Sequence, residues 1–180
     1  METATTFFSL LALVANAGVV LWVIAVAGGR RTHGLRRSLE ESVGPYAVIL
    51  ALVVAAVATG GSLYYSESAG LIPCELCWYQ RIAMYPLVAI FAVGLWKRDS
   101  AAWRFAMPLM TIGLGIAGYH YLIQRVPSLD ADTCSNAVPC SSAYFFEFGF
   151  ISIPYMAISA FTAIGTLWWI SLASDRADGP

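Results

Sequence analysis

A chain of 180 residues that is 59% hydrophobic, with a formal charge of −1 and a mean hydropathy of +0.70, is more apolar than water-soluble domains, in which about half the residues are apolar. The near-zero charge and the lack of a basic tract exclude a nucleic-acid-binding surface. The apolar residues come in blocks of about 20, the length needed to cross a hydrocarbon core, so the expected class is an all-α integral membrane protein.

Five spans are expected, at 7–28, 45–65, 78–96, 104–123 and 149–172. The first does not read as a cleaved secretory signal: Glu2 stands where a basic start belongs, and the apolar run outlasts a signal core. Arg30, Arg31, Arg36 and Arg37 follow it, Lys97, Arg98 and Arg104 separate the third and fourth spans, and Arg176 lies in the tail. Lys and Arg accumulate on the cytoplasmic side of a membrane, so these ends are expected there. The opposite ends contain only Arg81 and Arg125, which puts the N-terminus, 66–77 and 124–148 outside. Gly113, Gly115, Ala117 and Gly118 on the fourth span, and Ala56 with Gly60 on the second, are expected to let helix backbones approach closely. Trp22, Trp96, Trp103, Trp168 and Trp169, with Tyr64, Tyr65 and Tyr79, fall near span ends, as interfacial anchors do.

Before the third span stands Pro73-Cys74-Glu75-Leu76-Cys77-Trp78-Tyr79-Gln80-Arg81. A Cys-x-x-Cys pair at a helix N-terminus suits redox chemistry, because unpaired backbone N–H groups and the helix dipole stabilise a thiolate. If the helix begins near Cys74, then Cys77 and Arg81 lie one turn apart on one face and the guanidinium can support the same sulfur. A snorkelling interfacial cation is the plainer reading of Arg81. Pro86 is expected to free the Ile82 carbonyl and loosen the helix there.

The segment 124–147 is polar and turn-rich, with Asp130, Asp132, Ser135, Asn136 and Pro139 around Cys134 and Cys140. All four cysteines are thereby expected on the oxidising side, where disulfides persist, and two thiol pairs can meet. Zinc is the competing use of four cysteines. Two inert structural disulfides are another, although a bond between Cys74 and Cys77 would close so small a loop that it removes little chain entropy. The run Tyr144, Phe145, Phe146, Phe148 and Phe150 is expected to rest in the outer interface or to receive a partner.

Cys74-Glu75-Leu76-Cys77-Trp78-Tyr79-Gln80-Arg81-Ile82, with His120 and Gln124 before the second cysteine pair and Phe148-Gly149-Phe150 leading to Pro154 after it, resembles the disulfide-bond-formation protein B family. These are quinone-linked membrane oxidases that re-oxidise a thioredoxin-like thiol oxidase. The resemblance covers 45–172, a four-helix redox bundle. It leaves 1–44 as an additional N-terminal helix and cytoplasmic loop, and 173–180 as a cytoplasmic tail.

It implies a bacterial inner-membrane protein whose catalytic residues are Cys74, Cys77, Cys134 and Cys140. Cys134 would be attacked by the reduced DsbA-type partner, Cys140 would resolve that bond or pass it inward, Cys74 would exchange with the loop pair, and Cys77 would face the quinone, ubiquinone or menaquinone. Arg81 and His120 match quinone-contacting positions. Electrons would run from partner to loop to membrane, because quinone couples lie above structural disulfides in potential.

Two departures stand out. There are five spans instead of four, and only five residues separate Cys134 from Cys140, which limits their separation to roughly 20 Å at full extension. A vitamin-K-epoxide-reductase-like protein is a related reading, but there the helix-borne pair follows the loop pair in the chain. A non-catalytic scaffold or receptor stapled by two disulfides is the alternative outside enzymology.

Overall fold

The computed structural model describes residues 2–99, 101–130, 134 and 138–177, with the side chains of 175–177 left outside. Six helices account for most of it: α1 (Glu2–Ala27), α2 (His33–Val43), α3 (Ala47–Leu63), α4 (Glu75–Lys97), α5 (Ala102–Arg125) and α6 (Ile153–Ala177). Five stretches are long and apolar enough to cross a membrane, α2 and α3 together forming one of them. The expected all-α membrane class is met. Among the described residues the only extended pairing is an isolated bridge between Glu147 and Ile151.

Helices α3, α4, α5 and α6 pack as a bundle in the cyclic order α3, α4, α5, α6, and α1 lies outside it along α6. The core between the four is built on small residues. Ala47, Ala51 and Ala55 of α3 and Ala83, Ala106 and Ala117 of α4 and α5 are buried against Leu87, Phe91, Phe161 and Ile164. Lipid gives no hydrophobic drive between helices, so close backbone approach and dispersion have to hold them. Gly113 is the tightest such point: a Cβ there would meet the Phe161 ring and come within 2.9 Å of Ala83.

Several expectations are corrected at this level. Gly115, Gly118 and Gly60 have open space where a Cβ would go, and Ala56 is exposed, so these small residues face outward and Gly113 and Ala117 make the close approach. Trp22 is buried with Ile170 and Ala173, and Trp103 packs edge-on against Phe91 at 4.9 Å; both are core residues, whereas Trp96 is 81% exposed. Residues 33–43, expected as loop, form an amphipathic helix supported by Arg36–Glu40 and Arg37–Glu41 pairs one turn apart.

The last helix starts at 153 and not at 149, because Phe148 and Gly149 adopt positive φ (50° and 78°) and turn the chain before Pro154. It also continues through residues expected as tail, with Arg176's side chain outside the described residues.

The two ends of the bundle differ in chemistry. One end has Arg30, Arg31, Arg36, Arg37, Lys97, Arg98 and Arg104; the other has the described cysteines. At the cysteine end α3 continues into a π-turn (Tyr64–Ser68), and the aromatic run after the loop closes over it. Phe145 lies tilted against Tyr65 at 5.6 Å, and the Tyr144 hydroxyl donates to the Ile72 carbonyl at 2.7 Å.

Candidate functional site

Cys74 is the N-cap of α4. Its backbone is extended, with φ −72° and ψ 173°, and its Sγ accepts the Cys77 N–H at 3.3 Å. A sulfur therefore occupies the place where a Ser or Asp oxygen usually caps a helix. The Cys77 Sγ lies 2.8 Å from the Cys74 Sγ, and the two are free thiols in this structure. One turn of helix thus brings the pair within reach of a bond.

His120 of α5 completes this group. It is 2% exposed, its Nε2 lies 3.7 Å from the Cys74 sulfur, and its Nδ1 is 2.8 Å from the side-chain amide of Gln80. With the Gln80 amide donating to Nδ1, the ring proton belongs on Nε2 and points at Cys74. The hydrogen bond from the Cys77 thiol brings the Cys74 pKa down to about 4. Burial opposes this, while His120 and the Cys77 backbone N–H help. Cys74 is the residue before the spanning helix, so its charge sits at the mouth and not in hydrocarbon.

Cys134 and Cys140 form a disulfide. Cys140 has no exposed surface and belongs with Cys74, Leu76 and Ile123 to one buried cluster, against which Cys77, Cys134, Tyr119 and Val138 pack. The two cysteine pairs therefore meet in a single cluster at one end of the bundle. Asp132, Ser135 and Asn136 of the same loop lie outside the described residues. The bond between Cys134 and Cys140 takes two thiolates out of any four-cysteine zinc set; the donors that do converge, within 4.8 Å of one another, are Cys74, Cys77 and His120.

Arg81 makes contacts that spacing alone does not reveal. Its Nε donates to the Ser62 Oγ at 2.9 Å and its Nη2 to the Ser62 carbonyl at 3.0 Å, while the guanidinium lies 5.1 Å from the Trp78 ring centroid. The Tyr85 hydroxyl donates to the same Ser62 oxygen at 3.2 Å. Ser62 sits at the outer end of α3 with no motif around it, so only the α3–α4 packing identifies it. Ile82 and Pro86 lie on the exposed side of α4, and neither borders the cavity described next.

That cavity, of about 360 Å³, runs between α1, α3, α4 and α6. Cys77 and Arg81 lie at its outer end with Ser62, Gln80 and Tyr85, and most of the rest of its wall is apolar, including Val57, Met84, Met156 and Phe161, with Ser66 and Ser159 as further hydroxyls. Its size and its few convergent polar groups are those of a small-molecule site. His120 does not border it; it stands behind the dithiol, on the side of the loop disulfide. A two-carbonyl ring with an apolar tail fits this lining, since the Arg81 guanidinium and the Ser62 hydroxyl lie beside the sulfur and apolar side chains make up most of the remainder.

A model of the family described as disulfide bond formation protein DsbB matches residues 45–171. Disulfide bond formation protein C of Bacillus subtilis is 48% identical over 113 residues, 62% of this chain and 82% of the relative. A probable disulfide formation protein of Oceanobacillus iheyensis is 48% identical over 125 residues, covering 67% and 84%. Probable disulfide formation protein C 2 of Bacillus anthracis is 43% identical over 126 residues, covering 70% and 90%. No solved structure matches the chain.

Proposed function

The chain belongs to the DsbB family of disulfide bond formation proteins, a multi-pass membrane protein that forms disulfides, and from that premise we propose that it is a thiol:quinone oxidoreductase re-oxidising a thioredoxin-like, DsbA-type dithiol protein outside the cytoplasm. The observation that carries this reading is the position of Cys77, in reach of Cys74 on one side and bordering the apolar cavity beside Arg81 on the other.

The exchange sequence follows from exposure. Cys134 is partly exposed and Cys140 is not, so a partner thiolate attacks Cys134 and the Cys140 thiolate leaves. The partner's second thiolate then displaces Cys134, releasing an oxidised partner and a reduced loop pair. With the inner pair oxidised, a loop thiolate attacks Cys74 and expels the Cys77 thiolate; closing of the loop disulfide then frees Cys74. This returns the state seen here, with the outer pair bonded and the inner pair free.

Each cycle moves two electrons and two protons inward. A bound quinone supplies the two-electron, two-proton sink. Arg81, Ser62 and Tyr85 would hold its polar end, Arg81 offsetting negative charge that builds beside Cys77. His120, protonated at Nε2 toward Cys74, stabilises that sulfur as the leaving thiolate when the loop pair closes. The arginine-rich end of the bundle faces the cytoplasm of a bacterial inner membrane, and the cysteine end faces outward.

The test is oxidation of a reduced thioredoxin-like protein by the purified chain with a short-tailed ubiquinone or menaquinone. Cys77→Ser should abolish quinone reduction while leaving loop-pair exchange with the partner measurable by thiol trapping. Quinone reduction surviving in that variant sinks the assignment, and two bonds inert to mild reductant would favour the scaffold reading.

A further inference from the structure

We propose that α1, which precedes the family-matched segment at residue 45, is the lipid-side wall of a binding compartment for the isoprenoid tail of the electron acceptor; this rests on the quinone reading above. The helix has two stripes. Thr5, Ser9, Ala12, Trp22 and Ala25 are buried, and α1 packs along α6. The neighbouring stripe of Phe8, Leu11, Val14 and Ala15 borders the cavity together with Ala12.

At its outer end Phe8 reaches α3, tilted against Tyr65 at 5.8 Å and lying 3.0 Å from where a Gly61 Cβ would be. Farther in, Val53 and Val57 of α3 border the cavity from the other side. Helix α1 therefore bridges the mouth between α3 and α6 at one end and leaves an apolar slot below it.

Polar bonds hold α1 in this position. The Thr6 hydroxyl donates to a Glu147 carboxylate oxygen at 2.9 Å, and the Asn16 amide donates to the Tyr155 hydroxyl at 2.9 Å and to the Ser159 Oγ at 3.0 Å. An amide at membrane depth needs such partners, because lipid provides none. They therefore set the rotation of α1 about its axis, and with it the stripe turned to the slot.

The occupant is set by the two ends of the cavity. One end presents a thiol and a guanidinium, which call for a polar, electron-accepting head; beyond them the wall is mainly hydrocarbon, and its Ser159 hydroxyl is taken up by Asn16 and the Tyr155 carbonyl, so it accepts a chain without polar groups. Ala15 borders the cavity, so a large side chain there would take up volume the tail needs.

Photolabelling of the wild-type protein in nanodiscs tests the placement, with a ubiquinone analogue whose tail has a diazirine. The expected result is a label on residues 8–15, suppressed by excess decylubiquinone. A suppressible label confined to 45–171 overturns the role of α1. No suppressible label anywhere means that no quinone binds, which removes the quinone reading and this proposal together.

Binding measured by rapid filtration adds the residue-level test. Ala15→Trp should weaken decylubiquinone about tenfold or more and leave the tailless ring compound within about twofold. Val23→Trp, on the exposed face of α1, should change neither. Equal effects of the two substitutions, or unchanged decylubiquinone affinity in Ala15→Trp, overturn the proposal.

Discussion

The ionisation of Cys74 is the property most exposed to test, because each group that sets it has been placed. In a Cys134→Ser, Cys140→Ser background only the inner pair titrates, and thiolate absorbance in the ultraviolet follows it without requiring reagent access. An ordinary thiol is half ionised near pH 8.5. Cys74, at about 4, should hold one thiolate equivalent per chain throughout the neutral range and lose it only as pH falls through that value.

A hydrogen bond to a charged group contributes about 1.5–3 kcal/mol, and one pH unit corresponds to about 1.36 kcal/mol. His120→Phe, which removes the 3.7 Å contact to Nε2, should therefore raise the midpoint by roughly one to two units. Cys77→Ala removes the larger contributor and should raise it further. Gln80→Leu leaves the ring in place but frees its tautomer, so its rise should be smaller than that of His120→Phe. A wild-type midpoint at the ordinary thiol value, or one unmoved by both His120→Phe and Cys77→Ala, refutes the arrangement.

Arg81→Lys keeps a charge but loses the fork that reaches both Ser62 oxygens; the KM for quinone should rise about tenfold, the equivalent of about 1.4 kcal/mol, in steady-state assays with saturating dithiol. After reduction, a bulky maleimide should modify Cys134 well before Cys140, which has no exposed surface; mass spectrometry of early time points reads the order. Gly113→Leu should destabilise the bundle by about 1–3 kcal/mol through overpacking against Phe161 and Ala83, while Gly115→Leu, with open space at its Cβ, should leave the detergent unfolding midpoint nearly unchanged.

The membrane class and the five apolar stretches long enough to cross were legible because each apolar block is longer than a soluble core helix requires. A helix start near Cys74 was legible as well, since Pro73 and the Cys-x-x-Cys spacing mark one, but the sulfur's capping of the Cys77 N–H was not. What local pattern could not reveal was which face each residue turns inward. Gly113 and Gly115 are equally small and two residues apart, yet 200° of rotation on a helix sends one into the bundle and the other to lipid.

The same ambiguity hid Ser62 as the acceptor for Arg81, because the contact spans 19 positions in the chain. Trp22 and Trp103 read as interfacial anchors from their distance to the span ends, whereas tertiary packing buries both. The helical state of 33–43 was obscured by its charge, which resembles a loop until Arg36 and Arg37 are paired with the glutamates one turn on.

A helix start is a good place to divide two chemistries, and α4 shows why. Cys74 caps the helix from outside it and Cys77 lies in the first turn, so their sulfurs touch while their surroundings differ. Cys74 shares a buried cluster with Cys140 and has His120 behind it. Cys77 also borders the cavity, with Arg81 one turn farther along. Moving the second cysteine by one position along α4 would rotate it about 100°, and its sulfur could no longer both reach Cys74 and border the cavity. The spacing is therefore required by geometry: three residues is the offset at which one sulfur lies in the cluster of the loop disulfide, the other borders the cavity, and the two are still within reach of a bond.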